Sequence, residues 1–240
     1  NDIVQKLWNL CDVLKDDGIN YSDYVSELVM LLFVTMVDEL DDEFSTLAKI
    51  YPEKYKWSHF KDHNGIELLN FYKQMLLDLS QNQNELIASI YANAQTRLRE
   101  PRHLQQLINE FDKLDWFSIK ADGLGDLYEG LLEKNATETK SGAGQYFTPR
   151  PLINSIVRCM QPKPSEVIQD PACGTAGFLI AADAYIRQHN DLYALTEAET
   201  RFYTLEAFTG VELVPNTRRL AQMNCLLHDI GGEQGAIKLG

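Results

Sequence analysis

A chain of 240 residues holds one large domain or two modest ones. With 45% hydrophobic and 24% charged residues it has a globular composition, which excludes a disordered, collagen-like or low-complexity protein. Its 22 Lys and Arg against 35 Asp and Glu leave a net charge of −13, which excludes a broad basic face for gripping nucleic acid but not local contact with it. The four cysteines (Cys11, Cys159, Cys173 and Cys225) form no C-x-x-C pair, as expected of reduced thiols in a cytoplasm. Asn1-Asp2-Ile3-Val4 lacks the basic and apolar regions of a signal peptide. The most apolar run, Leu28 to Val37, is too short to span a membrane. A cytoplasmic protein without a membrane partner is expected.

The first half reads as helices. Ile3, Val4, Leu7, Cys11 and Leu14 recur at helical spacing after a candidate cap at Asp2. Ser22 is placed to cap a second helix whose centre, Leu28 to Met36, is apolar on every side, the mark of a helix inside a bundle. Helical patterns follow over 67–79, 84–98, 101–114, with Pro101 in the first turn, and about 122–134. No period-2 strand pattern precedes residue 160. After a Gly-rich loop at 139–144, a helix is expected over 151–160 and is ended by Pro162 and Pro164. Strand 166–170, helix 176–187, strand 208–213, helix 215–228 and strand 236–239 then alternate, the signature of a parallel α/β sheet. Three strands are fewer than such sheets usually carry, so a domain cut short is expected.

Three segments carry chemistry. Asp170-Pro171-Ala172-Cys173-Gly174-Thr175-Ala176-Gly177-Phe178 lies between a strand and a helix, where glycines permit a sharp turn and the helix start offers free N–H groups. It is neither G-x-G-x-x-G nor a P-loop, and its leading acid suits a cationic group or a ribose better than a pyrophosphate. Gly210-Val211-Glu212-Leu213 ends the second strand with a carboxylate able to accept both hydroxyls of a ribose. Gly144-Gln145-Tyr146-Phe147-Thr148-Pro149-Arg150-Pro151 puts two aromatics and a Thr in a Gly-to-Pro hinge, a candidate flap over a ligand.

Together the three segments resemble the cofactor segments of amino-methylating DNA methyltransferases, in their gamma order. More narrowly, the chain resembles the modification (methyltransferase) subunit of type I restriction–modification systems. Tyr128-Glu129-Gly130-Leu131-Leu132, Lys140-Ser141-Gly142-Ala143-Gly144, Arg218-Arg219-Leu220-Ala221 and Asn224-Cys225-Leu226-Leu227-His228-Asp229 extend the resemblance over essentially the whole chain. It implies an α plus α/β fold: an N-terminal helical bundle domain, 1–135, for subunit contacts, then a truncated Rossmann-like methyltransferase domain, 136–240. It implies S-adenosylmethionine as cofactor, with Asp170 near its amino group and Gly174, Thr175, Ala176 and Gly177 giving backbone contacts. Pro171 and Phe178 complete that loop, Gln145, Tyr146, Phe147, Thr148, Pro149 and Arg150 close over the cofactor, and Glu212 holds the ribose. The implied activity is adenine-specific DNA methylation. The implied partners are the specificity and restriction subunits, a second modification subunit, and DNA through the assembled complex.

One departure matters. The family orients its adenine with an Asn/Asp/Ser-Pro-Pro-aromatic segment, and no Pro-Pro occurs in these 240 residues. No catalytic residue is therefore assigned, and the chain by itself is expected to be inactive. A non-catalytic assembly module with a scaffold α/β part is the alternative; a nicotinamide-dependent oxidoreductase is weaker, because Asp170 would face its pyrophosphate. His59 and His63 fall at i, i+4 without a third ligand, so no metal is expected. The aromatics of the first half are expected in the core, Asp38 to Glu43 at a solvated helix end, and Arg218 and Arg219 on an exposed face or at a partner or phosphate contact.

Overall fold

Helix α3 (Tyr24–Glu39) buries nearly every side chain it has, so helices must cover it on all sides. It is the axis of one of two compact units in this computed structural model, Asn1–Ala143 and Gly144–Gly240. The structure describes residues 2–20, 23–40, 46–116, 118–119, 123–138 and 148–240. Ser22, the expected cap, lies outside them, as do Gln145, Tyr146 and Phe147 of the flap.

In the first unit α1 (Asp2–Asn9), α2 (Cys11–Asp16), α4 (Thr46–Ile50), α5 (Gly65–Ser80), α6 (Glu85–Tyr91), α7 (Pro101–Asp112) and α8 (Leu124–Glu138) surround or extend that core. Of these, α2, α4, α7 and α8 touch α3 directly. The single helix expected over 3–14 is two, broken at Leu10, whose N–H turns back to Leu7 C=O at 3.1 Å. The helix expected over 84–98 stops at Tyr91. Asn93 takes φ 55°, and the N–H groups beyond it leave helical pairing for two buried carboxylates. Glu27 accepts from Arg97 N–H at 2.7 Å and the Thr96 hydroxyl at 2.8 Å. Asp17 accepts from Arg99 N–H at 2.7 Å and Glu100 N–H at 3.0 Å, and lies 2.7 Å from His103 Nδ1. Tyr72, Tyr91, Tyr128, Phe33, Phe60 and Phe111 are fully buried, so these rings fill the core. His63 stacks on Phe71 and His59 faces Asp62.

In the second unit α9 (Arg150–Met160) precedes β1 (Ile168–Asp170), α10 (Gly177–His189), α11 (Glu197–Leu205), β2 (Phe208–Glu212), α12 (Pro215–Leu227) and β3 (Ile237–Leu239). The strands are parallel in the order β1-β2-β3, with Asp170 opposite Gly210 and Gly210 opposite Ile237. Leu179, Ile180, Ile186, Phe208, Ala221, Cys225 and Ile237 form the core between sheet and helices. A side chain on Gly210 would meet Ile237 Cδ1 at 2.7 Å and Cys173 Sγ at 2.9 Å, so this glycine lets the loop after β1 lie against β2. Among the described residues no strand precedes Ile168, and no helix is long and apolar enough to cross a membrane.

The two edges of the sheet differ. Ile168 N–H bonds Ala207 C=O of the chain leading into β2, so its neighbours Val167 and Gln169 turn their backbone groups outward. They face a groove of about 780 Å³ that includes Ile156, Met160, Val167 and Phe178. Met160 and Val167 are 75% and 65% exposed. At the far edge Gln222 imitates a strand: its Nε2 donates to Ile237 C=O at 3.0 Å and its Oε1 accepts from Ile237 N–H at 3.3 Å. Among the described residues one edge is closed by a side-chain amide, and the other is unpaired and largely apolar.

Candidate functional site

The loop from Asp170 to Phe178 starts where β1 ends and stops where α10 begins. Asp170 Oδ1 accepts from Ala172 N–H at 3.1 Å, which folds the chain back at once. Cys173 N–H donates to Val211 C=O at 3.0 Å, tying the loop to β2. Gly174 has φ +55°, and a Cβ built there meets nothing within 4 Å, so the backbone presents an uncovered surface. Ala176 takes φ 70° and ψ 20° as the cap of α10, a left-handed conformation costing about 1–2 kcal/mol in a residue with a side chain. It is held there: Ala176 N–H donates to Cys173 C=O at 2.8 Å, and Asn224 Nδ2, from α12, donates to Thr175 C=O at 2.9 Å.

Glu212 ends β2 on the same side of the sheet. Its Oε1 accepts from Val214 N–H at 2.7 Å, an arrangement like that of Asp170 one strand away. Each carboxylate thus spends one oxygen on its own turn. Cys173, buried beneath the loop, registers their field: its thiol is pushed up to about 12, first by burial and then by the Asp170 and Glu212 charges. The carboxyl ends of the strands are therefore negative, the reverse of a phosphate site. Thr148, Ile153, Asp170, Cys173, Gly174, Thr175 and Phe178 are among the residues that line a cleft of about 120 Å³ at this point.

Of the sequence-predicted residues, Thr148, Asp170, Gly174, Thr175, Gly177 and Phe178 line this cleft. Pro171 lies in the same turn, Ala176 is the buried left-handed cap, and Glu212 stands at the neighbouring strand end. Pro149 precedes the first turn of α9 as its cap residue. Arg150 spends Nη1 on Gly177 C=O at 2.9 Å, bracing α9 against the start of α10. Gln145, Tyr146 and Phe147 lie outside the described residues. Sequence reasoning gave no role to Asn224, Gln222 or Gly210. It left Arg219 open between an exposed face and a partner or phosphate contact; Arg219 is buried, which overturns the exposed face, and it approaches Asn216 Oδ1 at 3.3 Å. Arg218 Nε reaches Ile237 C=O at 3.4 Å. No cluster of three or more His, Cys, Asp or Glu suited to a metal occurs among the described residues.

Comparison with known proteins yields consistent findings. The N-6 DNA Methylase family model matches residues 119–240, and the HsdM N-terminal domain model matches residues 3–111. The chain is 50% identical over 248 aligned positions to the type I restriction enzyme EcoKI methylase subunit of Escherichia coli (strain K12), covering 100% of this chain and 46% of that protein. It thus spans about half the length of the curated relatives it matches. A chain from a structural study of complex assembly and conformational transition of the type I R-M system is similar at 25% identity with a TM-score of 0.75, covering 100% of this chain and 50% of that one. The type I restriction-modification system methyltransferase subunit from Streptococcus thermophilus has the same fold, with a TM-score of 0.69 at 21% identity, covering 100% of this chain and 58% of that one.

Proposed function

The chain belongs to the N-6 DNA methylase family, as a modification subunit of the type I restriction–modification kind, and from that premise we propose that residues 144–240 hold S-adenosylmethionine for methylation of the exocyclic amine of adenine in DNA. The observation that carries this reading is the pair of carboxylates, Asp170 and Glu212, at adjacent strand ends beside a bare glycine turn. The cofactor, when bound, supplies a methyl group on a sulfonium cation. Asp170 offers its second oxygen to the cationic amino group, and Glu212 offers its own to the ribose hydroxyls. Gly174, Thr175, Ala176 and Gly177 present backbone, Pro171 fixes the turn, and Phe178 is the apolar wall.

The residues fit such a group. The Asp170 and Glu212 carboxylates at adjacent strand ends favour a cation and oppose a pyrophosphate, which disfavours a nicotinamide dinucleotide. The cleft of about 120 Å³ holds only part of a ligand whose pockets usually measure about 300–1,000 Å³. We assign the remaining wall to the flap, Gln145, Tyr146, Phe147, Thr148, Pro149 and Arg150.

The three strands read as part of a Rossmann-like sheet, a reading supported by the contrast between the edge closed by Gln222 and the open apolar edge at β1. The group that orients the adenine amine is assigned to residues outside these 240, because the sequence contains no Pro-Pro. Residues 1–135 serve subunit contacts and 136–240 the cofactor. The specificity and restriction subunits, a second modification subunit and DNA are the partners of the assembled, cytoplasmic enzyme.

Titration calorimetry of the 240-residue chain tests the reading: S-adenosylmethionine binds and NAD does not. Incubation with methyl-labelled cofactor and mixed-sequence DNA leaves the DNA unlabelled. Equal affinity for NAD, or no affinity for either ligand, removes the cofactor assignment; labelled adenine shows that the acceptor site lies within these residues.

A further inference from the structure

We infer that Asn224, on α12, is a positioning residue for the cofactor loop, its side-chain amide clamping the Thr175–Ala176 peptide in the shape that receives S-adenosylmethionine. This rests on the cofactor reading above. Asn224 is completely buried, and its Nδ2 donates to Thr175 C=O at 2.9 Å. The other end of the same peptide is held too, because Ala176 N–H donates to Cys173 C=O at 2.8 Å. A peptide fixed at both its carbonyl and its N–H resists rotation, and that rotation is how Ala176 would leave φ 70° for the right-handed region. Glycine occupies the left-handed region freely and alanine does not, so this loop needs an external restraint.

The consequence reaches the site directly. Ile180 N–H donates to Ala176 C=O at 3.0 Å, so the conformation of Ala176 sets how α10 starts, next to the bare turn at Gly174. Asn224 Oδ1, equally buried, has no hydrogen-bond partner among the described residues. A side chain kept only for packing would be apolar there, since an unsatisfied buried acceptor is costly. The donor to Thr175 accounts for the amide.

The test is a double-substitution cycle on the 240-residue chain. It comprises Asn224→Ala, Ala176→Gly and the pair, read by calorimetry with S-adenosylmethionine and by amide hydrogen exchange without ligand. Asn224→Ala weakens binding about tenfold, the scale of one lost buried hydrogen bond, and speeds exchange at the Ala176 amide. Adding Ala176→Gly returns most of the affinity, measured against Ala176→Gly alone, because glycine holds the turn unaided. Ala176→Val strains the turn from the α10 side and weakens binding with Asn224 intact, which covers the case in which Asn224→Ala fails to fold. A residue serving only the stability of α12 would show affinity losses that track the melting temperature and are not recovered by Ala176→Gly. Unchanged loop exchange in Asn224→Ala, or absence of recovery in the pair, overturns the inference. A wild-type chain that binds no S-adenosylmethionine overturns the cofactor reading instead, and the exchange measurements still decide whether Asn224 holds the loop.

Discussion

Two carboxylates stand one strand apart at the carboxyl ends of β1 and β2, and each has already committed an oxygen to its own turn. What remains on each is one free oxygen, whose two lone pairs suffice for an ammonium or for a pair of hydroxyls. Glu212→Ala removes a charged acceptor worth roughly 1.5–3 kcal/mol, so the affinity for S-adenosylmethionine falls by at least about tenfold. Because Glu212 is partly exposed, its loss leaves the fold intact. Gly174→Val acts differently. No neighbour obstructs a Cβ there, but φ +55° disfavours a branched residue and the new side chain enters the space of the ligand. Calorimetry on both variants, with a melting curve for each, checks this; unchanged affinity in both removes the site assignment. Thr148, Gly174 and Glu212 could be singled out because local segments announced them. Asn224 could not, because its partner Thr175 lies 49 residues away.

At the level of elements, the helical unit depends on carboxylates that act as substitute backbone. Among the described residues the extended chain after α6 meets no strand, and Asp17 and Glu27 accept its N–H groups. Burial raises the Glu27 carboxyl above its ordinary range, with the Arg97 N–H and Thr96 hydroxyl opposing that shift. The folded state therefore retains a proton on Glu27 at pH values where the unfolded chain has released it. The Glu27 contribution to stability accordingly falls as pH rises from the ordinary glutamate range through the raised value. In Glu27→Gln that slope vanishes. Thermal unfolding between about pH 4 and about pH 8 should move the difference between the two proteins in favour of the variant as pH rises. A difference that stays constant across that range means that folding does not shift the titration of Glu27. The helix expected to reach Leu98 stops at Tyr91 for the same reason, since long-range acceptors outcompeted a favourable local pattern.

For the whole molecule, charge sets the constraint. A net charge of −13 gives no averaged attraction to a phosphate backbone, yet the proposed methylation needs a flipped base, at a cost of a few kcal/mol that some binding surface must supply. In the first unit Phe33, Phe60, Tyr72, Tyr91, Phe111 and Tyr128 are buried in the core, so none of these six rings offers a face for stacking on bases. That unit is therefore assigned to protein contacts. A gel-shift titration at low salt should show negligible DNA binding by the chain. A pull-down with the cognate specificity subunit should succeed and should weaken when residues 1–135 are removed. Tight, salt-sensitive DNA binding by the helical half would contradict this assignment.

The sequence by itself determined the features that repeat locally. The all-round apolar run in α3 required burial, the strand–loop–helix grammar after residue 165 required a parallel sheet, and the acid–glycine turn marked the carboxyl end of its first strand. Only the tertiary structure decided which side chains serve as substitute backbone: Asn224 at the loop, Gln222 at the sheet edge, and Asp17 and Glu27 along the extended segment. Their partners lie 49, 15, 82 and 70 residues away. A side chain bonding a distant main chain leaves no periodic trace, because its identity answers an unpaired N–H or C=O whose position is fixed only once the chain has folded.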